Sequence, residues 1–347
     1  MANLLSIATA LPNHRASHSD VLGAASEWLK NDEGALNVFT RFLESVRINQ
    51  RRFVMSPQEI VSLSSGLKRA EIFEREAPIL GIAAARGALE LSGVAPKEVD
   101  ALIFTSCSCP IIPSIDTLIV EKLGLRSDVL RTPLYQAGCA GGITGLALAN
   151  QLCSSLRNVL LVSVELCSLV FQETNHETSN LVGAALFGDG AAAAVVSKRP
   201  IGKLKIIGQN SKLLPGTRHL MGYDLKDTGA HLRLGRELPI YLRDEVPSFV
   251  RESLSKSSVT KEEVPWWLFH PGSIKILGVL QEVLELRPEQ APWAEKVLWN
   301  VGNMSSATIL FVMNEFLSDS KPSRGENVAV IGVGPGLTLE GIVATLL

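Results

Sequence analysis

The chain has 347 residues, 46% of them hydrophobic and 20% charged, with a formal net charge of −2. That length accommodates about two domains of roughly 150 residues and a large core. The charge balance offers no global field for nucleic acid or an anionic membrane, so a polyanionic ligand must be met by a local cluster.

Apolar runs such as Val159–Val164 and Val328–Gly332 are far shorter than the roughly 20 apolar residues of a membrane span. Met1–Leu11 lacks the basic, apolar and small-residue sections of a signal peptide, so the expected location is the cytoplasm. The five cysteines, Cys107, Cys109, Cys139, Cys153 and Cys167, form an odd set in a large chain, which argues against a disulfide framework and leaves room for a reactive thiol. Cys107-x-Cys109 has neither the gap nor the second ligand pair of a zinc site, and no metal is expected.

Residues 20–75 read as mostly helical, with Asp20 as an N-cap, a basic stretch over Arg41–Arg52 and a polar run through Arg75. From Pro78 the pattern alternates. A helix over Ile79–Leu91 stopped by Gly93 precedes a strand at Ala101–Thr105, and a helix over Ile115–Leu123 precedes a strand leading into Gln136–Cys139. A small-residue helix from Ala140 to Cys153 and a strand at Val159–Val164 follow. Strand alternating with helix implies sheets covered on their faces by helices.

The second half repeats the first. Leu102-Ile-Phe-Thr-Ser-Cys107 matches Trp267-Leu-Phe-His-Pro-Gly272, and Phe104 to Cys139 spans 35 residues where Phe269 to Asn303 spans 34. Ala137-Gly-Cys-Ala-Gly-Gly and Val301-Gly-Asn-Met-Ser-Ser each place a small-residue turn before an apolar helix. Leu186-Phe-Gly-Asp-Gly leads into Ala191–Val196, as Gly332-Val-Gly-Pro-Gly leads into Leu337–Leu347. Two related α/β domains, 1–198 and 199–347, follow from this repeat, with matching turns facing across a shared cleft that gathers Cys139, His270 and Asn303.

Cys139 stands where a strand gives way to a helix, where backbone N–H groups and the helix dipole lower a thiol's pKa and cradle an acyl oxygen. Taken alone it also fits a small buried residue. His270, extended by Pro271, can pair with a thiolate or donate to a carbonyl, though a lone histidine also fits a structural role. Asn303 fits a helix N-cap, and equally a neutral donor to an enolate.

Gln136-Ala-Gly-Cys139-Ala-Gly-Gly, His270-Pro-Gly-Ser, Gly302-Asn303-Met-Ser-Ser-Ala, Leu186-Phe-Gly-Asp-Gly and Gly332-Val-Gly-Pro-Gly-Leu-Thr resemble, in order and spacing, the thiolase-fold condensing enzymes. Over residues 75–347 the chain looks most like the chalcone-synthase-like type III polyketide synthases. The resemblance implies a thiolase-like α/β fold of two pseudo-symmetric βαβαβαββ-type halves, layered α-β-α-β-α. It also implies a Cys139–His270–Asn303 triad that loads an acyl-CoA starter on Cys139. Malonyl-CoA would be decarboxylated between His270 and Asn303, and the product cyclised to a pyrone or phenolic ring. No cofactor is implied beyond the CoA thioesters used as substrates.

The same resemblance places Phe171 as an aromatic gatekeeper and aligns Cys107 and Ile112 with the starter pocket. Arg41, Arg47, Arg51, Arg52 and Lys275 fall where CoA phosphates are met, with a solvated helix face as the plain alternative for the arginines. A homodimer is implied, with apolar elements around Cys153–Leu166 pairing across a two-fold axis. Three features depart from the family pattern: Val333 replaces an aromatic, Thr228–Tyr241 reads as an insertion without a second gatekeeper phenylalanine, and the chain is shorter than plant members. The aromatic content of 5% favours an aliphatic starter. Rival readings are a ketoacyl-carrier-protein-synthase-III-like enzyme, for which an acyl carrier protein is the donor, and a catalytically silent acyl-binding subunit. A cysteine protease matches the residue types, but the repeat gives it no support.

Overall fold

In the computed structural model, which describes every residue from Met1 to Leu347, the first half runs β1 (Asn3–Ala10), β2 (His14–Ser17), α1 (His18–Trp28), α2 (Glu33–Ser45), β3 (Gln50–Phe53), α3 (Pro57–Val61) and α4 (Gly66–Ser92). It continues with β4 (Ala101–Thr105), α5 (Asp116–Leu123), β5 (Leu130–Leu134), α6 (Gly141–Leu152), β6 (Asn158–Leu166), α7 (Thr178–Leu186) and β7 (Asp189–Ser197).

Local chemistry sets the boundaries. Ser17 caps α1 by accepting from the Asp20 N–H, and the Asp20 carboxylate accepts from the Ser17 N–H at 2.8 Å. Asp20 is therefore the reciprocal partner of the cap and not, as its type suggested, the cap itself. The helix expected from Ile79 begins thirteen residues earlier, behind its cap Ser65, and absorbs the polar run through Arg75. Pro78 lies inside it without an N–H for the Glu74 carbonyl. Burial of Ala77, Leu80, Ala84, Ala85 and Ala88 offsets that loss, and Gly93, at φ 64°, closes the helix in the left-handed conformation.

β6 is buried along its whole length, and its two faces feed separate cores. Leu160, Val162 and Val164 join α4 on one side, while Val159 and Leu161 join α6 on the other. The strand lies inside the sheet between β4 and β7, so Asn158–Leu166 leaves no free edge or face for the dimer pairing expected around Cys153–Leu166.

The second half repeats this plan: β8 (Leu204–Leu213), a hairpin of β9 (Met221–Lys226) and β10 (Gly229–Leu234), α8 (Leu238–Lys256), β11 (Trp266–Phe269) and α9 (Ile274–Val283). It ends with α10 (Trp293–Val301), α11 (Thr308–Ser318), β12 (Asn327–Gly334) and β13 (Thr338–Leu346). Outward from the middle, the nine-stranded sheet reads β1-β7-β6-β4-β5 on one side and β8-β13-β12-β11 on the other. Thus β1, β7, β6 and β4 correspond to β8, β13, β12 and β11. A two-residue antiparallel seam, Asn3↔Lys205 and Leu4↔Leu204, joins the halves. α6 and α11 are buried in one core between the strand layers, with α4 outside one layer and α8 outside the other. The stretch Thr228–Tyr241 resolves into β10 and the start of α8.

No helix is long and apolar enough to cross a membrane.

Candidate active site

Cys139 occupies a short 3-10 turn, Gly138–Ala140, immediately before α6, and its counterpart in the second half is the turn Ser305–Ala307 before α11. Gly138 has φ 52°, and a Cβ there would run into the Pro335 ring. A Cβ on Gly142 would strike the Ser306 carbonyl, and one on Gly141 the Thr105 hydroxyl. Gly142 therefore lets the two halves meet backbone to backbone, and Gly138 lets the Pro335 ring in beside the turn. The thiol is free and half-buried, and the Ser305 hydroxyl lies 3.5 Å from Sγ.

His270 follows β11, its N–H bonded to the Ile331 carbonyl at 2.9 Å. The ring is buried, and neither nitrogen has a protein partner. Burial pushes the imidazole down to about 4 and the Cys139 thiol up to about 11, partly countered by the Ser305 hydrogen bond. Charge on either group alone is thus disfavoured.

Asn303 is held from three sides. Its N–H bonds the Leu186 carbonyl at 3.1 Å, and its own carbonyl accepts from Gly188 at 2.9 Å. Its Nδ2 donates to the Gly272 carbonyl at 3.1 Å, which ties it to the loop that carries His270. Oδ1 accepts from the Ser305 N–H at 2.8 Å and from Thr308 Oγ1 at 3.3 Å. The oxygen therefore caps the turn, leaving the amide N–H side to face the cleft.

Behind this group lies a buried carboxylate, Glu165, bonded by the Cys107 N–H at 3.0 Å and by the Ser108 and Ser306 hydroxyls. Burial raises its pKa above the usual carboxylate range. Cys107 Sγ lies 3.3 Å from Ser305 Oγ, so one hydroxyl stands between two thiols. Burial and Glu165 push the Cys107 thiol well up.

Residues 1–200 match the family model for the N-terminal domain of chalcone and stilbene synthases, and residues 205–347 match that for the C-terminal domain. The chain belongs to this family, the type III polyketide synthases. It is 28% identical to a 1,3,6,8-tetrahydroxynaphthalene synthase of Streptomyces peucetius subsp. caesius, over 98% of this chain and 92% of that protein. It is 28% identical to a phloroglucinol synthase of Pseudomonas fluorescens, over 95% of each. The crystal structure of the 1,3,6,8-tetrahydroxynaphthalene synthase of Streptomyces coelicolor A3(2), a bacterial type III polyketide synthase, superposes with a TM-score of 0.94 at 27% identity, covering 99% of both chains. The protein is an enzyme of the acyltransferase class with the thiolase fold.

The structure of this type III polyketide synthase redistributes the outlying site residues. Phe171 is buried against Trp28, ring centroids 4.6 Å apart, in the cluster under α1 and α2. The aromatic next to the triad is Phe187, which pairs by backbone with Asn303. Both rings line one apolar cavity. Ile112 is 99% exposed on a loop, and Val333 is buried in the core opposite Leu339.

Arg51 is not available to a phosphate, because it is buried with Nη1 donating to the Ala184 and Phe187 carbonyls. Alternation along β3 turns Arg51 inward and Arg52 outward. Arg41 is exposed on α2. Val46, Ile48, Leu186 and Leu298 form a small cluster against which Ile274 packs, and the sequence neighbours Arg47 and Lys275 are both exposed.

Sequence reasoning missed Glu165, Ser305, Phe187 and Tyr223. Glu165 was detectable as the one charged residue in the run Val159–Leu166. Tyr223 pairs with Leu232 across the hairpin, and its phenol is pushed well up by burial and by Cys107, Cys167 and Glu165, which sets it beside the same space.

Proposed function

We propose that the enzyme loads an aliphatic acyl-CoA starter on Cys139 and extends it by decarboxylative condensation with malonyl-CoA, releasing a pyrone or phenolic product. The observation that carries this reading is the convergence of Cys139 from the first half with Ser305, Asn303 and the His270 loop from the second.

The Cys139 proton passes to His270, the thiolate attacks the starter thioester, and CoA leaves with that proton. Malonyl-CoA then binds with its thioester oxygen toward the His270 ring and the Asn303 amide. As carbon dioxide departs, the negative charge left on that oxygen is met by two neutral donors that do not protonate the carbanion. The low pKa of the buried imidazole suits this step, because an imidazolium would be a stronger acid. The carbanion attacks the acyl–Cys139 carbonyl and frees the sulfur for the next cycle. No resident cofactor takes part.

Arg47 and Lys275 meet the CoA phosphates at the rim, joined by Arg41 and Arg52, and Phe187 stands between that rim and the cavity. The enzyme works as a homodimer through the surface carrying Ile112, whose full exposure among apolar loop residues supports that placement. Sedimentation at micromolar concentration tests it, and a monomer would refute it.

Purified enzyme incubated with acyl-CoA and malonyl-CoA alone should release cyclised polyketides detectable by mass spectrometry. Strict dependence on an acyl carrier protein would instead favour the ketoacyl-synthase-III-like reading, and no acylation of Cys139 would favour a silent acyl-binding subunit.

A further inference from the structure

We propose that the alkyl tail of the starter lies in a slot between α1 and α7, and that Ala24 and Ala25 set how long a tail fits. The inference rests on the reaction proposed above.

Two helices face the cavity with the same spacing. α1 contributes Val21, Ala24, Ala25 and Trp28, and α7 with its C-cap contributes Asn180, Gly183, Ala184 and Phe187. Positions i, i+3, i+4 and i+7 make one helix face, and on both helices its middle is built from Ala or Gly. Fourteen of the nineteen lining residues are hydrophobic.

The polar groups on the wall are engaged, with one exception. Ser168 Oγ donates to Asp189 at 2.6 Å. The Asn180 amide donates to the Gln172 and Asn175 carbonyls and accepts from the Gln172 N–H. Among the side-chain nitrogen and oxygen atoms of the wall, Arg51 Nη2 alone has no partner, and Arg51 sits at the Phe187 end, against Gly302 and so next to Asn303. The slot is therefore polar at the end toward the triad and apolar beyond it, which is the profile of an acyl group with an oxygen-bearing head and a hydrocarbon tail.

The far end is walled by Trp28, packed edge-on against Phe171 at 4.6 Å and Phe39 at 6.4 Å. Trp28 Nε1 donates to the Glu173 carbonyl at 2.6 Å, which fixes that wall. An apolar space of this kind stays dry when empty and is filled favourably by methylenes.

The test measures kcat/KM for saturated acyl-CoA starters from two to sixteen carbons with malonyl-CoA, in the full-length enzyme and in Ala25→Leu and Val21→Ala. Acylation of Cys139 is followed by intact mass, and folding by circular dichroism melting. In the wild type each added methylene should raise kcat/KM about fourfold up to a length limit. Ala25→Leu should shorten that limit by about two or three carbons, judged from the two side-chain volumes, and Val21→Ala should lengthen it. An unmoved limit in both variants, or a loss uniform across chain lengths, overturns the slot while leaving the reaction standing. If Ala25→Leu does not fold, Val21→Ala decides by itself. Failure of every acyl-CoA to acylate wild-type Cys139 overturns the reaction proposed above.

Discussion

Ser305 Oγ lies 3.5 Å from Cys139 Sγ, a hydrogen bond made across the join between the two halves of the chain. Ser305 is held for it with φ 46° and its N–H bonded to Asn303 Oδ1. Its hydroxyl is a side-chain donor placed to stabilise the Cys139 thiolate. Ser305→Ala should therefore slow Cys139 acylation about tenfold, the size of one hydrogen bond to a charged group. It should also shift the pH profile of alkylation by iodoacetamide upward. An unchanged profile would show that the thiolate does not use this hydroxyl.

The pH dependence of the thiol reports on His270. Burial holds a lone Cys139 thiol near 11, so an isolated thiolate is lost as pH falls below that value. In the proposed reaction, proton transfer to His270 provides a thiolate at neutral pH, because the imidazolium formed compensates it. His270→Ala should move the apparent pKa for iodoacetamide alkylation up by two units or more, toward the alkaline limit. Equal profiles in the wild type and the variant would mean that the pair does not form.

In the proposed reaction Asn303 acts at decarboxylation and not at loading. Asn303→Ala removes one donor to the developing enolate, which costs roughly 100- to 1000-fold. Carbon dioxide release from malonyl-CoA should fall by that factor while acylation of Cys139 persists. Thr308 Oγ1 and the Ser305 N–H also lose an acceptor, so melting temperature should be recorded beside the rates.

Arg47 and Lys275 are exposed, and in the proposed reaction they act by charge. Replacing both with Glu should raise KM for CoA thioesters about tenfold with little change in kcat, on the scale of exposed charge contacts. Added salt should narrow the gap between variant and wild type, since screening weakens such contacts.

Gly138 carries the geometry of the nucleophile turn. Its φ of 52° and the Pro335 ring beside it make Gly138→Ala costly by about 1–2 kcal/mol for the left-handed backbone alone. The variant should melt several degrees lower and lose acylation activity more than Ser305→Ala does. A variant with wild-type melting and rate would show that the turn tolerates another conformation.

Much of this was legible in the sequence because periodicity and repetition are direct consequences of packing. The strand Ala101–Thr105 has the bounds its pattern gave, and the paired turns before α6 and α11 were visible as small-residue clusters. Where the reading failed, the deciding information was three-dimensional. Pro78 reads as a helix breaker, yet the core contacts of α4 carry the helix through it. The Arg51–Arg52 pair shows that a strand alternates, but not which residue faces inward. Phe171 and Phe187 both line the cavity, and only the backbone pairing with Asn303 singles out the one beside the triad. Glu165 stands out in its strand, but its partners Ser108 and Ser306 come from distant segments.

The most direct test is peptide mass spectrometry of enzyme quenched during turnover with an acyl-CoA starter and malonyl-CoA. The starter acyl mass should appear on the peptide containing Cys139, and Cys139→Ser should show neither that adduct at wild-type rate nor polyketide release. Polyketide release at wild-type rate by Cys139→Ser, or an adduct confined to another cysteine, would contradict the account.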